Sequence, residues 1–277
     1  MGLMQGKSGV VVGVANQHSI AWAIAERLHK EGARVALTYA NEGLRRRVEG
    51  LSKRIESPLV VPCDVTDDAQ LASAMAAAAA ALDGGLDFVV HAVAFAPERD
   101  LKAKVVGTSR QGFHTTMDIS VYSFIGLVQA AAPYLRPNAG ALTLSYLGAE
   151  RVCVGYNIMG VAKAALEASC RYLAADLGPR GIRVNAISSG PIRTSAAIGL
   201  PNFQEMLAKR ADQSPLGRNV DQGDVANSAA FLLSDLSRST TGTVLHVDGG
   251  YNVMGTWTEA SEAPAKAPEE KSVEEVA

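Results

Sequence analysis

The sequence predicts an α/β protein built on a single doubly wound parallel sheet of about seven strands. Two observations carry this. Short apolar runs rich in β-branched residues recur at 9–13, 34–39, 59–62, 88–91, 141–145, 183–188 and 244–247. Helix-patterned stretches lie between them at 20–30, 44–52, 68–82, 118–134, 156–177 and 222–234. Strands alternating with helices require crossover connections, which place parallel strands in one sheet with helices on both faces. A chain of 277 residues is long for one domain but can bury a single large core, so one domain over 1–257 is expected.

The first strand runs into GVANQHSIAWAIA, Gly13 to Ala25. Gly13 permits a tight turn, Ser19 can cap a helix starting at Ile20, and Ala21 and Ala23 allow close packing on the sheet. Free amides at that helix start would suit a pyrophosphate. The segment is not GxGxxG, and alone it fits a plain strand-turn-helix equally well. Past the second strand stands Glu42, where a 2′-phosphate on an adenosine ribose would want a cation. That favours NADH over NADPH, although Arg45, Arg46 and Arg47 follow closely. The third strand ends in Cys63-Asp64-Val65. Asp64 can take an adenine amine while Val65 covers the ring, or Asp64 can cap the helix that begins near Asp68. The alanine run at 74–82 reads as an ordinary crossover helix, since alanine is the best helix former and Asp67 and Asp68 suit its start. Beyond the sixth strand, Leu200, Pro201, Phe203, Met206 and Leu207 form an apolar set among polar residues, the pattern of a lid over 195–218.

Composition excludes other classes. The net charge is −2, and six Glu against two Lys in 258–277 leave the remainder at +2, which is no nucleic-acid footprint. No run of about 20 apolar residues offers a membrane span. Cys63, Cys153 and Cys170 form no CxxC pair, which fits a reducing cytoplasm, and Cys153 reads more readily as a small buried hydrophobe than as a nucleophile. The five histidines show no metal-ligand spacing, so no metal is assigned. Residues 258–277 lack aromatics and cannot offset their ordering entropy by burial; a disordered acidic tail is expected.

The stretch SYLGAERVCVGYNIMGVAK, Ser145 to Lys163, sharpens the reading. With CDV at 63–65, FAP at 95–97, DISVYSF at 118–124, GPIRT at 190–194 and HVDGG at 246–250, the chain resembles a Rossmann-type short-chain dehydrogenase/reductase. Within that superfamily it resembles the NADH-dependent enoyl-acyl-carrier-protein reductases of bacterial fatty-acid synthesis. Ketone-reducing members resemble one another in a tyrosine four residues before the lysine; here that place is Met159, which donates no proton. Tyr156 stands seven residues before Lys163, two turns away on one face if both lie on a helix. This longer reach suits a thioester oxygen two bonds beyond the carbon that receives hydride.

The resemblance implies that Tyr156 stabilises an enolate, that Lys163 binds the nicotinamide ribose, and that Tyr146 lines the acyl site. It implies cofactor contacts at Gly13, Ser19, Ile20, Asp64, Val65, Val93, Ile192, Arg193, Thr194, Ser195 and Ala196. It places Ala96, Met159, Phe203 and Met206 with the tyrosines around the substrate. It further implies a homotetramer and an acyl-carrier-protein partner, for which Lys209, Arg210 and Arg218 are candidate contacts. The rival readings are a ketone or alcohol oxidoreductase of the same superfamily and a non-catalytic NADH sensor. One departure is the HAVAFAP segment, where the family usually has serine and glycine at the places of Ala92 and Ala94. An added methyl narrows a pocket where backbone approaches a ligand. Flat diphenyl-ether inhibitors should therefore bind Ala94→Gly more tightly than the native chain, with turnover retained. Equal inhibition of the two proteins would sink that idea.

Overall fold

The computed structural model describes residues 2–193 and 203–255. Seven strands, β1 Ser8–Val12, β2 Arg34–Tyr39, β3 Val60–Pro62, β4 Leu86–His91, β5 Leu135–Ser145, β6 Arg183–Ser189 and β7 Val244–Val247, form one sheet in the order β3-β2-β1-β4-β5-β6-β7. Every pairing is parallel. The helices are α1 Ile20–Lys30, α2 Glu42–Ser52, α3 Asp68–Ala81, α4 Glu98–Lys102, α5 Arg110–Met117, α6 Ser123–Ala131, α7 Ile158–Leu177, α8 Phe203–Gln213 and α9 Gln222–Leu233.

The strand pleat divides the core into two layers. Val10, Val12, Val89, Ala141, Val184 and Ala186 face α3, α6 and α7. Val11, Phe88, Val90, Leu142 and Ile187 face α1, α2 and α9. Period-2 alternation of apolar residues to both sides is what a sheet covered on both faces demands. The alanine-rich α3 buries Leu71, Ala74, Met75, Ala78 and Ala79, and Asp67 caps it by accepting from the Ala69 and Gln70 amides.

Three expectations change. The helix predicted over 118–134 is the second half of a longer rod. α5 and α6 join through a π-helical turn at Asp118–Tyr122, a local widening that recurs at functional sites. β5 begins earlier than its apolar run: Leu135 already pairs with Leu86, and a register shift, with Asn138 at a left-handed φ of 67°, separates that pairing from Phe88–Gly140. The helix predicted from 156 starts only at Ile158. Asn157, with φ 45° and ψ −125°, breaks the helical path, so Tyr156 lies in a turn before the helix. The 258–277 tail and residues 195–202 of the expected lid lie outside the described residues; from 203 on, the lid segment contains α8.

The sheet order reverses between β1 and β4, and their carboxyl ends diverge there into the crevice where such folds take ligands. Gly13 closes β1 at φ 109°, and a Cβ there would stand 2.3 Å from the Ala92 carbonyl oxygen beyond β4. Gly13→Ala should therefore cost about 1–3 kcal/mol of stability through backbone strain and steric conflict, read as a lower urea midpoint. An unchanged midpoint would refute the close approach.

Candidate active site

At the open end of β1, Ser19 caps α1: its Oγ accepts from the Trp22 amide at 3.3 Å and donates to the Asn16 carbonyl at 2.7 Å. No acidic residue lies in the first turn of α1, so the amides around Ile20 present unopposed positive dipole to an anion. Val93 comes within reach of the same turn, with its Cγ2 3.3 Å from the place of a Cβ on Gly13. Asp64 does not cap α3. Its Oδ1 accepts from the Thr66 amide and hydroxyl at 3.0 and 2.8 Å, which makes a compact turn at the end of β3. Val65 is buried in the core beside Val10 and Val12.

Beyond β2, the Tyr39 hydroxyl lies 3.4 Å from Glu42. Arg45 is held by Glu49 at 2.8 Å and Glu42 at 3.6 Å. Arg47 reaches 3.5 Å toward the Ala15 carbonyl in the glycine turn. These residues fit a dinucleotide: a cradle that only glycine permits, a helix start free of carboxylates, and a carboxylate, Glu42, directly past β2. Ile192 is buried among Leu142, Val220 and Val225, and the Arg193 carbonyl accepts from Gln222 at 3.4 Å. Thr194, Ser195 and Ala196 lie outside the described residues.

Tyr146 follows β5, and its ring meets that of Tyr156 edge-on at 4.6 Å between centroids. Gly148 makes this possible: a Cβ there would lie 2.5 Å from the Tyr156 ring. Asn157 anchors the tyrosine turn by donating to the Leu101 carbonyl at 2.8 Å. Loss of hydration, reinforced by Tyr146 and Cys153, pushes the Tyr156 hydroxyl well above the ordinary tyrosine range. Loss of hydration likewise pushes Tyr146 up to about 12, with the Cys153 thiol adding to the rise and the Arg210 guanidinium opposing it. Tyr156 therefore stays protonated, a standing hydrogen-bond donor.

Lys163 is 5% exposed and donates to the Leu144 carbonyl at 2.7 Å. Burial brings its ammonium down to about 8, opposed by the charge of Glu167 one turn on. Met159 is buried against Ser120, Sδ to Oγ 4.0 Å. Ser120, inside the π turn, both accepts from the Phe95 amide and donates to the Phe95 carbonyl at 2.9 Å, which pins the loop carrying half-buried Ala96. His91 is buried between Thr143, 3.0 Å from Nδ1, and Ser123, 2.8 Å from Nε2. Burial drives its pKa down to about 3, so the ring is neutral. Ser123 already donates to the Ile119 carbonyl at 2.6 Å; it must accept from His91 Nε2–H, leaving Nδ1 as an acceptor for Thr143.

Phe203 and Met206 belong to α8, but their side chains lie outside the described residues. Of the basic residues expected to face a carrier protein, Arg210 and Arg218 have identified partners within the chain. Arg210 stacks 3.7 Å over the Tyr251 ring beside Tyr146, and Arg218 pairs with Asp224 at 2.7 Å. Lys209 is exposed. Cys153, read as a buried hydrophobe, is half-buried with its thiol beside the Tyr146 hydroxyl. Ser120 and Glu167 were not legible as site residues; only the polar interruption of apolar helix faces marks them. Among the described residues no group of three His, Cys, Asp or Glu could hold a metal, and no helix is long and apolar enough to cross a membrane.

Known proteins match this arrangement over most of its length. An NADH-dependent enoyl-acyl-carrier-protein reductase of Rhizobium meliloti is 51% identical over 92% of this chain and 93% of its own. The crystal structure of the corresponding NADH enzyme from Aquifex aeolicus superposes with a TM-score of 0.89 at 44% identity, covering 92% of this chain and all of that one. An enoyl-acyl-carrier-protein reductase from Anaplasma phagocytophilum, solved in complex with NAD, gives 0.88 at 48% identity over 93% and 98% of the two chains. The family profile described as Enoyl-(Acyl carrier protein) reductase matches residues 13–252, from the glycine turn of β1 through both tyrosines to the turn beyond β7, and the chain belongs to that family.

Proposed function

We propose that this protein reduces the trans-2 double bond of enoyl thioesters carried on acyl carrier protein, using NADH. The observation that carries it is the edge-on Tyr146–Tyr156 pair, protonated and half-buried, at the sheet end that also holds Lys163 and the glycine turn. When bound, NADH supplies hydride to the β-carbon of the thioester. Tyr156 donates a hydrogen bond to the thioester carbonyl and stabilises the enolate oxygen, an oxyanion donor in a desolvated site. Lys163 binds the nicotinamide ribose hydroxyls and favours the developing anion. Tyr146 holds the neighbouring wall and the Tyr156 ring. The ring at 156 belongs to a turn and not to α7, so its reach comes from the Gly155–Asn157 backbone.

Gly13, Ser19, Ile20, Asp64, Val65, Val93, Ile192 and Arg193 form the cofactor side of this reading, with Thr194, Ser195 and Ala196 continuing it. Ala96, Met159, Phe203 and Met206 form the acyl side. Glu42, standing past β2 with Arg45 neutralised beside it, supports NADH over NADPH. A homotetramer is supported by the exposed Phe113, Val161 and Tyr172 on α5 and α7, apolar surface of the kind that copies of a chain cover. Three free cysteines support the cytoplasm as its compartment.

Tyr156→Phe should lower kcat on a short enoyl thioester by roughly 10²–10³-fold with little change in NADH affinity; unchanged turnover would remove the tyrosine from the reaction and leave the sensor reading. Because the folded Lys163 loses its proton near pH 8, NADH affinity should be full below that pH and fall as pH rises through it. A flat profile from pH 6 to 10 would contradict the assignment. Lys209→Glu should raise KM for the carrier-borne substrate several-fold and leave the CoA-borne one alone; equal effects on both would discard Lys209 as a contact.

A further inference from the structure

The buried face of α7 consists of Ile158, Met159, Ala162, Leu166, Cys170 and Ala174, interrupted by two charged residues, Lys163 and Glu167. Each is 5% exposed. They stand four residues apart and so project side by side. A buried carboxylate is costly unless it is paired and hydrogen-bonded, and Lys163 alone could have been held by the Leu144 carbonyl. Glu167 therefore needs a reason.

The sheet supplies its surroundings. Ser145 on β5 pairs in register with Ser188 on β6, and Ser188 with His246 on β7. Ser145 has the same parity as Ala141, Ser188 as Val184 and Ala186, and His246 as Val244, all of which lie on the α7 side. Thus the apolar underside of the sheet ends, at its carboxyl edge, in a polar row beneath α7. Ser145 Oγ donates to the Glu167 carboxylate. At the rim, His246 Nε2 pairs with Glu150 at 2.8 Å.

We propose that Glu167 is a positioning residue of the reduction: it keeps the neighbouring Lys163 cationic and, through Ser145, fixes the strand end from which Tyr146 projects. The charged groups facing this pair are few. His91, neutral on β4, faces Lys163, while Glu150, His246 and Arg171 face Glu167. Burial and Glu150 raise the Glu167 carboxyl, and the Ser145 hydrogen bond, His246 and Arg171 act against them. Among the described residues, Glu167 is the one carboxylate whose charge supports Lys163 against its own desolvation. This inference rests on the proposed role of Lys163 in binding NADH, but the charge coupling itself is a property of the protein without cofactor.

The test uses the full chain and three variants, Glu167→Gln, Glu167→Asp and Ser145→Ala. Two readouts are followed from pH 6 to 10: the NADH dissociation constant, by nicotinamide fluorescence, and the Lys163 side-chain resonance in ¹³C-lysine-labelled protein without cofactor, assigned with Lys163→Met. Glu167→Gln keeps an acceptor for Ser145 but removes the charge. It should move both the resonance midpoint and the alkaline loss of NADH binding toward neutrality by roughly one pH unit, the size that a nearby opposite charge imposes. Glu167→Asp should stay near the native midpoint. Ser145→Ala should leave the midpoint in place and lower kcat. An unmoved resonance in Glu167→Gln, an equal displacement in Ser145→Ala, or an Asp variant displaced as far as the Gln variant would each overturn the proposal. If the resonance moves as expected while NADH affinity shows no pH dependence, the coupling stands and the assigned role of Lys163 fails. Should Glu167→Gln not fold, the Asp and Ala variants still decide by the same midpoints.

Discussion

The two-residue pleat of a parallel sheet buried on both faces is the constraint from which the rest of this structure follows. It sends Val10 and Val12 to one helical layer and Val11 to the other. Because paired residues of neighbouring parallel strands share a face, polar residues that enter the pattern at the carboxyl ends line up in rows. His91 pairs with Thr143, and Ser145 with Ser188 and His246. The apolar core thus ends in a polar ledge at the end of the sheet where the crevice opens.

That ledge explains how a lysine can be buried here. An ammonium in an apolar layer is costly, and Lys163 offsets this with the Leu144 carbonyl and the charge of Glu167. Thr143 and Ser123 satisfy the neutral imidazole of His91 while the Ser145 hydroxyl is taken by Glu167, so His91 adds no second cation near Lys163. Tyr146 leaves the same strand one residue past Ser145, which ties the aromatic wall of the site to the charged pair beneath it.

The tyrosine arrangement depends on backbone features that compensate one another. Asn157 sits in a strained left-handed conformation and is held there by the Leu101 carbonyl. Gly148 leaves room for the Tyr156 ring against Tyr146. The π turn brings Ser120 inward, where it grips both backbone groups of Phe95. Such strain is retained where surrounding contacts over-determine it, which is typical of functional sites.

The sequence by itself determined the layer order, because period-2 and period-3.6 patterns report burial locally. It also determined the glycine turn, whose Gly13 has no substitute, and the tyrosine and lysine positions, because their motif is specific. Other features depend on groups distant in the chain, and only the tertiary structure decided them. Tyr156 left the helix because Asn157 found a partner 56 residues away. Asp67 rather than Asp64 capped α3 because the backbone after Cys63 turned first. Arg210 faces Tyr251 because Ser214, just after α8, ties that helix end to the Gly249 carbonyl beyond β7. Glu167 looked like one more polar residue on an amphipathic helix; its burial beside Lys163 and Ser145 emerges only when strand register and helix packing are combined, since charge coupling depends on distance through space and not along the chain.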